Sequence, residues 1–202
     1  MSTIRSVNMK RNRLARLEKE MFQPMIKLET LLIDHNYLDD INGVFSSLSS
    51  LKHLSISDNS LKWFDMAFFP KTIQVINMGS NIIEEIGNYY KMFEGFSLQS
   101  LDLSFNRISY LDQQMFVVSY ILLGKLNLIE NLLFQESLEE INLEGNNITE
   151  IESGTFLSLS RLKNVNLRNN SLKTLPRNSL KVSNSVGKMN TLETLSYLSY
   201  SR

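Results

Sequence analysis

Segments of the form apolar-x-x-apolar-x-apolar-x-x-Asn-x-apolar recur eight times in this 202-residue chain. The clearest copies run from Leu98 to Ile108, from Leu138 to Ile148 and from Leu162 to Leu172, and the others open at Ile4, Leu28, Leu51, Ile73 and Leu123. Each places an asparagine ninth: Asn12, Asn36, Asn59, Asn81, Asn106, Asn131, Asn146 and Asn170. Self-similarity of this kind specifies a stacked architecture, because a unit this small cannot bury its apolar side without a neighbour.

Within a copy, the alternation at places four to six is that of a half-buried strand, with Leu101 and Leu103 inward and Asp102 outward. The ninth-place Asn turns inward where the strand ends. Its amide can satisfy backbone groups of its own loop and of the adjoining coil that would otherwise be buried without partners. By this register Asn146 is structural, whereas Asn142, on the open face, is expected to be dispensable. Further apolar places follow, such as Ile108 with Leu111 and Ile148 with Ile151, and then Phe22, Phe69, Phe116 and Phe156 at place nineteen, which are expected to stack as a second spine under the convex side. The predicted fold class is α/β: a curved horseshoe solenoid with one short parallel strand per repeat and an irregular convex side, forming a single domain over residues 1–202.

The repeat starts are separated by 24, 23, 22, 25, 25, 15 and 24 residues. The interval of 15 leaves the copy from Leu123 without its places fourteen, nineteen and twenty-two. Two outcomes are open: a pinched coil with a packing defect between Phe116 and Phe156, or broken strand pairing with residues 112–137 bulging outward. A loss of about nine residues from a repeat of ordinary length accounts for the interval equally well. The chain starts inside a repeat, and Leu192, Leu195 and Leu198 read as the opening of another near residue 192. Both ends therefore read as cuts, and a fragment of a longer protein is expected.

The chain from Ile4 to about Leu175 resembles the typical animal class of leucine-rich repeat, marked by a spacing near 24 and a Phe at place nineteen. That class consists mostly of ectodomains, including Toll-type receptors, small proteoglycan-like proteins and chaoptin-like adhesion proteins. The resemblance implies an extracellular or cell-surface location. The opening residues hold no apolar stretch of the kind a secretory signal needs, and no apolar run approaches the length of a membrane span. With zero cysteines, a cytoplasmic scaffold or adaptor is the competing expectation. A third is the recognition segment of a larger receptor. The acceptor sequences at Asn147 and Asn169 do not discriminate, since two are no more than an Asn- and Ser-rich chain yields by chance.

Horseshoes of this class commonly bind proteins through the concave sheet, which displays places two, three, five, seven and eight. The fifth-place column is mostly small and polar: Asn8, Leu32, Ser55, Asn77, Asp102, Asn127, Asn142 and Asn166. Such a column keeps a solvated sheet soluble, and it also offers a hydrogen-bonding platform on which His35, Phe105 and Ile129 would be anchors. The candidate binding residues are therefore His35, Asn77, Asp102, Phe105, Asn127, Ile129, Asn142 and Asn166. The expected partner is a protein, with homophilic adhesion as one form.

Charge is balanced overall but patterned. Seven bases oppose Glu18 and Glu20 in residues 1–27, seven Glu and no base occupy 130–152, and seven bases and no acid occupy 161–188. Stacking is expected to set Glu139, Glu140 and Glu144 beside Lys163, Asn164 and Arg168 as cross-strand pairs. No nucleic-acid module, phosphate loop or zinc spacing is present. His35 and His53 lie five places apart on adjacent strands, about 16 Å, too far to share a metal or a proton. His35 falls beside Asp58 instead. The expected role is non-catalytic, without a cofactor or metal.

Overall fold

The computed structural model describes residues 3–86, 97–111, 137–157 and 159–175, together with the strands Lys181–Ser183, Met189–Thr191 and Thr194–Ser196. Eight parallel strands form one sheet in chain order: Ser6–Asn8, Thr30–Leu32, His53–Ser55, Val75–Asn77, Ser100–Asp102, Glu140–Asn142, Asn164–Asn166 and Thr194–Ser196. Each pairs place for place with the next, so Leu31 lies opposite Leu54 and Leu54 opposite Ile76. Register is unambiguous because a one-residue slip would turn the apolar set onto the open face. The inward residues Leu31, Leu54, Ile76, Leu101, Ile141 and Val165 are all buried, and so are Ile33, Ile56, Met78, Leu103, Leu143 and Leu167 two places on.

The return path carries little regular structure. Trp63–Phe64 pairs with Glu85–Ile86, and Tyr110–Leu111 pairs with Glu150–Ile151. Among the described residues the only helical turns are two 3-10 segments, Lys19–Met21 and Met66–Phe68, the second capped by Asp65, which accepts from the Ala67 N–H at 2.8 Å. The Phe spine includes Phe22 and Phe69 as expected, and Phe45 stands between them, 6.0 Å from Phe22 and 6.4 Å from Phe69. Phe156 is fully buried. Phe116 lies outside the described residues.

The short interval falls between two strands that pair directly. The strand Ser100–Asp102 pairs directly with Glu140–Asn142, with Leu101 opposite Ile141, and Tyr110–Leu111 pairs directly with Glu150–Ile151. The copy from Leu123, with Asn131, lies outside the described residues, and the Asn146 rung adjoins that of Asn106. The copy from Leu138 fills the coil beside that of Leu98 with Ile148, Ile151, Phe156 and Leu159, all buried. Leu111 and Ser137 therefore belong to adjoining coils of the described stack. At the far end, Leu195 lies opposite Val165, so the repeat expected near residue 192 does add a strand.

The asparagine ladder ties the coils together. Asn146 Nδ2 donates to the carbonyls of Leu103, Leu143 and Glu144 at 2.9, 3.0 and 3.3 Å, and its Oδ1 accepts from the Ile108 N–H at 3.1 Å. Leu103 and Ile108 belong to the preceding coil. Asn36, Asn59, Asn81, Asn106 and Asn170 repeat the same double link. Asn12, in the first coil, bonds the Met9 and Lys10 carbonyls of its own loop.

Asn146→Leu, which strands these backbone groups in an apolar interior, is expected to cost about 1–3 kcal/mol. Asn142 is not fully dispensable, because its Oδ1 accepts from the Glu144 N–H at 3.1 Å. Asn142→Ala is expected to cost about 0.5–1.5 kcal/mol, less than Asn146→Leu, since the freed N–H lies at the solvated face. Equal losses in urea unfolding would contradict the register.

Candidate functional site

The open face of the sheet is built from places two, three, five, seven and eight, and the structure gives these columns distinct roles. In the fifth-place column the side-chain oxygens of Asn8, Asn77, Asp102, Asn142 and Asn166 each accept the backbone N–H two residues on, from Lys10, Gly79, Ser104, Glu144 and Arg168, at 2.9–3.2 Å. Each is an Asx turn that ends its own strand. The platform residues Asn77, Asp102, Asn142 and Asn166 are therefore partly committed to their own backbone and present their remaining polar atoms outward. Asn127 and Ile129 lie outside the described residues.

Place eight is left-handed in each of the seven repeats where it is described. Arg11, His35, Asp58, Ser80, Phe105, Gly145 and Asn169 all have φ between 50° and 65°. This conformation lets the following Asn turn inward, and the place-eight N–H reaches the next coil, as Phe105 does to the Glu144 carbonyl at 2.6 Å. A non-glycine residue in this region costs roughly 1–2 kcal/mol, less for Asn and Asp. His35 and Phe105 both stand there, half exposed. His35 Nδ1 lies 3.6 Å from Asp58 Oδ2, the pairing that the sequence places side by side.

The Phe105 ring lies over Gly145. A Cβ at Gly145 would sit 2.5 Å from Phe105 Cδ1 and 2.7 Å from Cε1, so the glycine answers both a positive φ and the ring above it. Phe105 is 55% exposed, although Ser104 beside it is buried. The place-eight position before it is held by Ser80, and Gly79 occupies place seven of that coil.

The cross-strand charge pairs form in part. Lys163 Nζ is 3.0 Å from Glu139 Oε2, and Asn164 donates to Glu140 at 3.0 Å. Glu144 binds Asn166 at 2.9 Å and Asn169 at 3.1 Å instead of Arg168. Along place two, Glu29 sits between Lys52 and Arg5, whose charges hold its carboxyl below the usual carboxylate range.

A group that the sequence reading passed over is Asp34. It is 3% exposed, its Oδ1 accepts from the Ser55 hydroxyl and from the Ser57 N–H and hydroxyl, and Lys10 Nζ lies 2.7 Å from Oδ2. Burial pushes its pKa up, but the hydrogen bonds from Lys10, Ser55 and Ser57 outweigh that and lower it to about 2. An acid at place seven beside two serines of the next repeat was the available signal. Along one flank, Glu84, Arg107, Ser109, Gly145 and Asn147 line an open hollow of about 460 Å³. Among the described residues no three acidic or imidazole groups converge as a metal would need.

Because its folded pKa lies below the unfolded value, Asp34 stabilises the fold above about pH 4 by roughly 2 kcal/mol, and this contribution disappears as pH falls toward about 2. Asp34→Asn is expected to be less stable than wild type at pH 7, with the two converging as pH drops through that window. A difference that stays constant down to the lower limit in chemical unfolding would refute this.

Comparison with known proteins gives the same architecture. The family model described as Leucine rich repeat matches residues 2–61 and 136–196, and a second of the same description matches residues 97–116. The chain is 34% identical over 149 residues to Toll-like receptor 7 of Drosophila melanogaster, which covers 74% of the chain and 9% of the receptor. Human lumican is 26% identical over 221 residues, covering 94% of the chain and 65% of lumican. Among solved structures, TLR13 in complex with ssRNA13 superposes with a TM-score of 0.66 and 29% identity, over 88% of the chain and 23% of that receptor chain. The chain thus spans a small part of the receptors and about two thirds of lumican. It belongs to the leucine-rich-repeat family and is similar to the ectodomain-like animal members of it.

Proposed function

We propose that the chain is a non-catalytic recognition or adhesion module of the cell surface or extracellular space, binding a protein partner through the open face of the sheet with Phe105 as its anchor. The observation that carries this is the state of Phe105. An apolar aromatic is held in left-handed backbone with more than half of its surface exposed, on a glycine that leaves room for the ring. Stability alone favours Asn here, the residue at the same place as Asn169, since Asn tolerates the conformation and an exposed ring gains little from burial. Aromatic side chains are enriched where binding energy concentrates. Asn77, Asp102, Asn142 and Asn166 contribute a rigid, pre-ordered surround, which lowers the entropy cost of docking. Toll-like receptor 7 and lumican as relatives support both the location and the recognition role, and a second copy of the chain is one form the protein partner takes.

Phe105→Asn is expected to leave the melting temperature unchanged or raise it, while weakening partner binding about tenfold or more. The check is paired: beads coated with wild type or variant are compared for self-aggregation and for capture of displayed secreted and cell-surface proteins. Partners retained equally by both, or a variant that unfolds, would count against the anchor role.

A further inference from the structure

The open face around Phe105 has a charge character that neither the repeat pattern nor the family match specifies. At places three, five, seven and eight of the four neighbouring coils from Leu51, Ile73, Leu98 and Leu138 stand Asp58, Asp102, Glu140 and Glu144, with no Lys or Arg. Among the described residues, none of Asp102, Glu140 and Glu144 makes an ion pair. Their partners are the Ser104 N–H and the amides of Asn164, Asn166 and Asn169, which orient a carboxylate without neutralising it. Of the bases toward the margins of this zone, Lys10 pairs with Asp34, Lys52 with Glu29 and Lys163 with Glu139, which leaves Arg11 on one side and Arg168 on the other.

Phe105 stands within this field. Its N–H is bonded to the carbonyl of Glu144, and its ring covers Gly145, the next residue. A ring face with carboxylates close by is suited to a cation, which is drawn to the aromatic quadrupole and to the acids together. The described carboxylates do not converge on one point, so a bare metal ion is not the ligand this arrangement fits. The charge lies on three of these four coils, whose strands are about 4.8 Å apart, which matches an extended chain bearing several cations.

We infer that the open face binds an extended Arg- or Lys-rich segment of a protein partner, with one cationic side chain over Phe105 and others against Asp102, Glu140 and Glu144. This rests on the recognition reading above and adds the chemistry of the partner. It also sets the face against polyanions, in contrast to the RNA present in the superposed TLR13 complex.

The test is fluorescence polarisation of the full chain with three labelled probes: a peptide of about eight residues alternating Arg and Gly, long enough to cross these strands, its Glu-Gly counterpart, and oligothymidylate. The Arg-Gly peptide is expected to bind most tightly and to weaken with added salt. Phe105→Asn, and separately Asp102→Asn with Glu144→Gln, are each expected to weaken it about tenfold. The Asp102→Asn change recreates the side chain that caps the same turn at Asn77, Asn142 and Asn166, so folding is preserved. Glu20→Gln, in the 3-10 turn of the first coil, is expected to change nothing. Arg-Gly binding that is indifferent to both sets of variants overturns the inference. Binding of Glu-Gly or oligothymidylate that depends on Phe105 also overturns the cationic partner, but leaves recognition by this face standing.

Discussion

The ninth-place asparagine is the interaction on which the rest of the structure depends. An apolar spine alone would let neighbouring coils slide or rotate, since hydrophobic burial is not directional. The Asn amide is directional: it reaches back to a carbonyl before the loop of the preceding coil and receives an N–H after it, so each rung fixes two adjoining coils at once. For the side chain to point inward there, the preceding residue must turn left-handed, and every described repeat does so. The same turn throws the place-eight side chain onto the rim of the open face. A structural requirement in the interior thereby creates a column of displayed residues outside, and Phe105 and His35 owe their position to it.

The jump from the coil of Leu98 to that of Leu138 follows from the same constraint. A rung is useful only when the coil behind it is filled, because the stability of a stack is close to a sum of coil and interface terms. Asn146 closes on Leu103 and Ile108 with the geometry of every other rung, although 40 residues of sequence separate it from Asn106. Closing that longer connection costs little, since loop entropy grows only with the logarithm of length. A coil with an empty convex half would cost far more, because buried side chains there contribute on the order of 1.5–3 kcal/mol each.

Much of this was legible in the sequence. Strand positions, inward residues and seven of the eight ladder asparagines follow from spacing alone, because each is set by an alternation or a register that a single chain displays. Asn131 lies outside the described residues, and the eleven-residue pattern that marks it scores only the strand half of a repeat. Phe45 escaped notice because it stands at place eighteen of its repeat, one short of the place that the other aromatics hold. The left-handed column was hinted at by Asp58, Gly145 and Asn169, residues that favour that conformation, but His35, Ser80 and Phe105 obscured it. The Asx turns were hidden for a different reason: Asn and Asp at place five are equally suited to facing solvent and to capping their own strand, and only coordinates distinguish the two.

That dual use of Asx residues separates fold from recognition on this surface. Asn and Asp cap the turn equally well through one oxygen, so the backbone is indifferent to whether the column carries charge. The same holds at Glu144 and Glu140, where neighbouring amides position a carboxylate that an ion pair would have silenced. Surface ion pairs stabilise by less than about 1 kcal/mol each, so a solenoid loses little by leaving these acids without bases. The potential of the open face can therefore be set almost independently of stability. Its interior is committed to leucine and asparagine, and its specificity resides in places three, five, seven and eight.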